Sequence, residues 1–148
     1  MDVRITKLDP RAVIPEYKTP LAAAFDLTVI EDATVAAHQH AALRTGLGFG
    51  IPEGHVMLIF SRSSTFMKFG VILANGVGII DPDYSGPDDE LHVVVLNPGN
   101  EAILIQAGSR VAQAMILPRP EITFVEGPAG DINRGGFGTT GGHGAGSV

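Results

Sequence analysis

The sequence predicts an all-β fold of many short strands joined by tight turns. Three observations carry that expectation. Nineteen glycines and ten prolines in 148 residues are too many for a helical bundle, whose element interiors exclude both. A hydrophobic fraction of 45% is too high for a disordered chain. Short apolar, β-branched runs also alternate with turn clusters along nearly the whole chain.

The runs lie at residues 3–8, 25–30, 56–60, 71–73, 77–80, 91–96, 102–105, 111–117 and 122–125. Between them stand Pro52-Glu53-Gly54, Asn75-Gly76, Pro82-Asp83, Asn97-Pro98-Gly99-Asn100 and Gly108-Ser109, each rich in residues that favour turns. Several runs are apolar on both faces, as in a sandwich core. One helical turn is expected after Arg62, with Ser63 or Ser64 capping Thr65-Phe66-Met67-Lys68. No repeat or linker divides the chain, so residues 1–126 read as one domain. Residues 127–148, rich in glycine with little to bury, read as a separate C-terminal arm.

Composition narrows the function. The length suits a single domain able to bury about two-thirds of its unfolded surface without a disulfide or structural metal. The absence of cysteine excludes disulfide scaffolds, zinc ribbons and thiol catalysis, and fits a reducing compartment. A net charge of −6 is the wrong sign for a general nucleic-acid or anionic-membrane binder. No apolar run approaches the roughly 18 residues of a membrane span, and residues 1–11 lack the apolar core of a signal peptide. A small, acidic, cytoplasmic domain is expected. The histidines show no metal spacing: His38 and His40 share a strand face at best and have no third ligand.

Five short constellations bear chemistry. Ala24-Phe25-Asp26-Leu27 places a carboxylate inside an early strand, where a lone Asp normally faces solvent. Arg62-Ser63-Ser64 combines a guanidinium, two hydroxyls and helix-start N–H groups suited to phosphate; a plain serine cap is the alternative. The stretch from Asn75 to Tyr84 resembles a hairpin. In it the Asn75 amide can pair with a base edge, Asp81 can serve as a general base at the mouth of a pocket, and Tyr84, three residues on, is at a distance that can place its ring beside the same pocket. Asp81-Pro82-Asp83 is equally good turn chemistry. Gly108-Ser109-Arg110-Val111-Ala112-Gln113 opens a strand with two polar residues in an apolar setting, of which Arg110 reads as structural. Arg134-Gly135-Gly136-Phe137-Gly138-Thr139-Thr140-Gly141 is either part of a disordered tail or a phosphate-and-base clamp.

In this order the five constellations resemble the ordered motifs of the trimeric deoxyuridine triphosphatase (dUTPase) family, from about residue 19 to residue 141. The resemblance implies a distorted β-barrel or jelly roll of the β-clip kind with a glycine-rich C-terminal arm. It implies a homotrimer with active sites at subunit interfaces, and hydrolysis of dUTP to dUMP and pyrophosphate with Mg2+ on the triphosphate. That reaction would limit uracil in DNA and supply dUMP for thymidylate synthesis. Asp81 would deprotonate the water attacking the α-phosphorus. Asn75 and nearby backbone, including Ile79 and Ile80, would read uracil, and Tyr84 would pack on the deoxyribose and exclude a 2′-hydroxyl. Arg62, Ser63, Ser64 and Gln113 would hold phosphates, and Asp26 would contact Mg2+ through water. From the arm, Arg134 would reach the γ-phosphate and Phe137 would stack over the base, with Gly138 and Thr139 beside them.

Two departures bear on this. Pro87-Asp88-Asp89 is inserted after Gly86, to repel the triphosphate, bind an extra cation or, as hairpin loops tolerate best, lengthen a loop. Ser64 and Pro82 are features shared with the related dCTP deaminases, which makes a deaminase or a bifunctional deaminase–dUTPase the rival. That rival needs a glutamate where Val94 stands, and Glu90 could replace it only by a register shift. A nucleotide-binding module without chemistry would be free to lose Asp81 or the arm; both are present.

Overall fold

The computed structural model describes residues 1–132. The strands are β1 (Arg4–Lys7), β2 (Phe25–Thr28), β3 (Ala33–Val35), β4 (His40–Arg44), β5 (Leu47–Gly50), β6 (His55–Ser61), β7 (Ile72–Leu73), β8 (Gly78–Ile80), β9 (His92–Leu96), β10 (Ile103–Ile105) and β11 (Arg110–Pro118), with one helix, α1 (Thr65–Phe69). Every ladder is antiparallel. A four-stranded sheet runs β2-β11-β6-β8 and a three-stranded one β4-β9-β7; β1 pairs with β5 and β10 with β3. The all-β expectation holds, but these ladders stay separate and do not close into a barrel.

Alternation explains why the two larger sheets share a core. In β6, Met57 and Ile59 turn inward, and in β9 Val93 and Val95 do, with partly exposed residues between them. Leu27, Met57 and Ile59 of one sheet join Leu43, Val93 and Val95 of the other in a single buried cluster. Each such side chain contributes about 1.5–3 kcal/mol, so packing rather than surface charge holds the fold.

Sequence runs do not mark β3, β4 or β5. The first two are short and carry alanine, and Leu47–Gly50 places glycine at every second position. The run at 122–125 forms no strand: among the described residues, 119–132 are irregular, this run joins no ladder and Phe124 is 90% exposed. The stretch from Asn75 to Tyr84 is not a ladder of its own. β7 pairs with β9 and β8 with β6, so the turn between them carries the chain from one sheet to the other. His38 lies in a turn rather than on a strand, with φ +58° and a 3.0 Å hydrogen bond to Asn100.

The helix forms where predicted, but neither serine caps it through its side chain. Ser64 has helical dihedrals and makes no cap bond. The buried Thr65 hydroxyl instead accepts the Arg62 N–H at 2.9 Å and donates to the Val111 carbonyl at 2.9 Å. Gly70 ends the helix at φ +67°, its N–H bonded to the Phe66 carbonyl at 2.7 Å, a left-handed cap that favours glycine. Five residues are too few for an isolated helix, so the tie to β11 holds it in place.

Arg44 gathers acidic groups from distant parts of the chain: Glu90 at 3.0 Å, Glu31 at 3.5 Å and Asp9 at 3.6 Å. Hydrogen bonds from the Arg11 side chain and backbone hold the Asp9 carboxyl well below the usual range. Burial alone would raise the Glu90 carboxyl, but hydrogen bonds from Arg44 and the Gly46 N–H outweigh it and lower it. Both folded values are depressed, so the unfolded chain binds more protons in acid. The stability they contribute is complete above the ordinary values of 3.8 and 4.5 and is lost as pH falls through the lowered folded ones. Urea midpoints should therefore fall between about pH 5 and pH 3, and the acid limb should flatten in Asp9→Asn and Glu90→Gln. An unchanged limb would remove both groups from the linkage.

Candidate active site

The ladders place the chemistry-bearing residues in two groups. One forms where β2, β6 and β11 meet. Cross-strand register sets Gln113 opposite both Asp26 and Phe60, and Ala112 opposite Ser61, so Arg62 leaves β6 beside Asp26. The Asp26 side chain is 11% exposed and bridges two guanidiniums, Arg62 Nε at 2.7 Å and Arg110 Nη1 at 2.9 Å. Arg62 Nη1 also donates to the Arg110 carbonyl at 3.1 Å, and Gln113 Nε2 to the Ser61 carbonyl at 3.0 Å.

These bonds leave capacity for a ligand. A guanidinium carries five N–H donors, so Arg62 keeps roughly three, and a carboxylate offers about four lone-pair sites, of which Asp26 uses two. Gln113 keeps its amide oxygen and a second N–H. Ser63 is exposed and Ser64 half-buried at the start of α1. The two guanidiniums are oriented by Asp26, and charge-assisted donors of this kind suit an anion. Arg110 is structural in that it holds Asp26, as its strand position suggested.

The second group lies on the loops flanking β8. Asn75 is exposed in the turn before the strand and Asp81 is exposed just after it. Five residues separate them, the last three forming β8. Ile79 faces outward, while Ile80 packs against the core cluster. Asp81 lines a shallow hollow with Glu53, Gly54, Pro82, Asp83 and Arg119. Tyr84 is 41% exposed; its N–H reaches the Asp81 carbonyl at 3.2 Å and its hydroxyl the Glu90 carbonyl at 3.0 Å. The inserted residues close on themselves: the Gly86 N–H donates to Asp89 Oδ2 at 2.7 Å and the Asp89 N–H to the Gly86 carbonyl at 3.2 Å.

Within one chain the two groups stay apart. Ile80 pairs with Met57, which sets Asp81 beside Val56, while Arg62 follows the far end of the same strand. Six residues at about 3.3 Å each put them about 20 Å apart. Arg134, Phe137, Gly138 and Thr139 lie outside the described residues.

Thr65 and Glu90 make long-range hydrogen bonds beside these groups that motif reading missed. A hydroxyl straight after Arg62-Ser63-Ser64 was the available signal for Thr65. For Glu90 there was none, because its partner Arg44 lies 46 residues away. Val94 pairs with Ala42 in mid-strand and Glu90 is held by Arg44, so neither supplies a proton shuttle for deamination.

The all-β scaffold thus sets a cluster of guanidinium, amide and hydroxyl groups around Asp26 at one end of β6 and the loop bearing Asp81 at the other. The family profile described as dUTPase matches residues 11–141, and the chain belongs to that family. It is 41% identical over 145 residues to the deoxyuridine 5′-triphosphate nucleotidohydrolase of Nautilia profundicola, covering 95% of this chain and 99% of that one. Its fold matches the crystal structure of the Streptococcus mutans dUTPase with a TM-score of 0.76 at 29% identity, over 84% of this chain and 100% of that one. A mutant dUTPase from phage phi11 of S. aureus, described as coordinating a structural Mg(II) ion, matches at TM-score 0.74 and 24% identity, over 86% and 98%. Among the described residues no helix is long and apolar enough to cross a membrane.

Proposed function

We propose that this chain hydrolyses dUTP to dUMP and pyrophosphate as a cytoplasmic homotrimer with active sites between subunits. One observation carries the reading. The loop that bears the base and the cluster that binds phosphate are about 20 Å apart in a single chain, yet the attacked phosphorus and its flanking phosphates are neighbouring atoms of one ligand. A second copy brings the Asp81 loop of one chain to the Arg62 cluster of another. The exposed Ile122, Phe124 and Val125, with Phe124 90% exposed, support the same assembly, since such apolar surface is normally covered.

Asp81 orients a water molecule and takes its proton as that water attacks the α-phosphorus. Its exposed position beyond β8 leaves the carboxylate free to face a partner's ligand. Asn75, with the backbone of Ile79 and Ile80, reads the uracil edge; cytosine is rejected because its donor and acceptor positions are reversed. Tyr84 packs against the deoxyribose and leaves no room for a 2′-hydroxyl. Arg62, Ser63, Ser64 and Gln113 hold the phosphates. Residues 1–126 form the body and residues 127–148 the arm, from which Arg134, Phe137, Gly138 and Thr139 close over the nucleotide and exclude water.

Asp26 suits Mg2+ held through its own water shell. A lone carboxylate between two guanidiniums, with lone pairs to spare, can accept from metal-bound water, and Mg2+ commonly keeps several waters. The ion would supply charge neutralisation on the phosphates.

The test incubates the protein with Mg2+ and dUTP, dCTP or UTP in parallel and separates products by anion exchange. Conversion of dUTP alone to dUMP is expected. Conversion of dCTP would establish the deaminase, which no observation favours. Survival of all three nucleotides would leave a binding module.

A further inference from the structure

Residues 81–89 hang from the protein by few bonds. Among the described residues, their hydrogen bonds all find partners within residues 81–90: Tyr84 N–H to Asp81, Gly86 to and from Asp89, and the Tyr84 hydroxyl to the Glu90 carbonyl. Glu90, by contrast, is fixed. Its side chain is 12% exposed, accepts Arg44 Nε at 3.2 and 3.1 Å and Nη2 at 3.0 Å, and accepts the Gly46 N–H at 2.8 Å. The next residue is tied as well, Leu91 N–H to the Leu47 carbonyl at 2.7 Å and the Thr45 hydroxyl to the Leu91 carbonyl at 2.6 Å. The chain passes at Glu90 from a self-contained loop into a rigid ladder, and the Tyr84 hydroxyl reaches across that boundary.

We propose that Glu90, held by Arg44, is a positioning residue for Tyr84 and thereby sets how strictly the site refuses a 2′-hydroxyl. The inference rests on the dUTP reading above. A half-exposed tyrosine with a free hydroxyl would sample several rotamers at little cost. Tethered to a carbonyl that cannot move, the ring keeps one orientation, and discrimination against one added oxygen demands that a wall stay in place. The self-closed turn at Gly86–Asp89 fits this arrangement, since it adds length without adding a competing anchor. Arg44 keeps Glu31 and Asp9 when Glu90 is truncated, so the change strands no buried charge.

The experiment measures kcat/KM for dUTP and UTP in the wild type, Tyr84→Phe, Glu90→Ala and the double variant, with urea midpoints alongside. Tyr84→Phe removes only an exposed hydroxyl, so it reads the tether even where Glu90→Ala folds poorly. Each single variant should lower the dUTP-to-UTP selectivity ratio about three- to tenfold, the leverage of one hydrogen bond. The double variant should lose no more than either single one, because Tyr84→Phe removes the hydrogen bond to the Glu90 carbonyl and Glu90→Ala acts only through that same bond, by freeing the residue that carries the carbonyl. Asp9→Asn, which weakens the same charge cluster away from the loop, should leave the ratio unchanged. A Glu90→Ala protein that loses stability but keeps wild-type selectivity, or additive losses in the double variant, would overturn the proposal. A wild type that leaves dUTP intact would instead overturn the reading beneath it.

Discussion

Replacing Asp81 by asparagine should leave dUTP bound with near-normal affinity while lowering turnover by about 10²- to 10⁴-fold, the usual contribution of a positioned general base. The two side chains have nearly the same shape, so the loop between β8 and Glu90 should not rearrange. The Asp81 backbone carbonyl, which receives the Tyr84 N–H at 3.2 Å, survives the change. What is lost is the ability to take a proton from the attacking water. Binding measured by calorimetry with a non-hydrolysable dUTP analogue, beside steady-state rates, separates the two effects. Loss of kcat with retained affinity identifies an interaction made in the transition state. Near-normal turnover would remove Asp81 from the role, and loss of binding would make it a substrate contact instead.

Local pattern made most of the sheets legible, and long-range pairing explains the rest. β6, β9 and β11 announce themselves because each alternates or runs apolar over several residues and is bounded by turn chemistry. β4 and β5 do not, since Ala41, Ala42, Gly48 and Gly50 give no side-chain contrast; partners far along the chain stabilise them. The run at 122–125 has the composition of a strand yet joins no ladder among the described residues, and composition carries no knowledge of pairing. In the candidate site the same division holds. The residues singled out on β2, β6 and β11 lie together because ladder register enforces it. Thr65, which ties the turn after Arg62 to the start of β11, and Glu90, which ends the loop that follows Asp81, depend on partners 46 residues away. Motif spacing does not encode such partners.

Mixing two inactive variants provides the sharpest check on where the site is. On the proposed roles, Asp81→Asn removes the base and Arg62→Ala removes a phosphate donor, so each variant alone should be almost inactive. If a site draws Asp81 from one chain and Arg62 from another, co-assembly creates interfaces that carry both wild-type residues. With random assembly of equal amounts, each interface receives an intact pair about one time in four, so about a quarter of wild-type activity should return. The strand geometry leads to this expectation, because about 20 Å of β6 separates the two groups within one chain and no loop motion brings them together while β8 stays paired to β6. Arg62→Ala also frees the Asp26 carboxylate from one of its two guanidiniums, and Arg110 at 2.9 Å remains to hold it, so this variant should still assemble. Light scattering on the mixed and unmixed proteins verifies that trimers form in every case. Mixed trimers that remain as inactive as their parents would mean that each site is built from one chain, and then the pairing of β8 with β6 could not persist in the active enzyme.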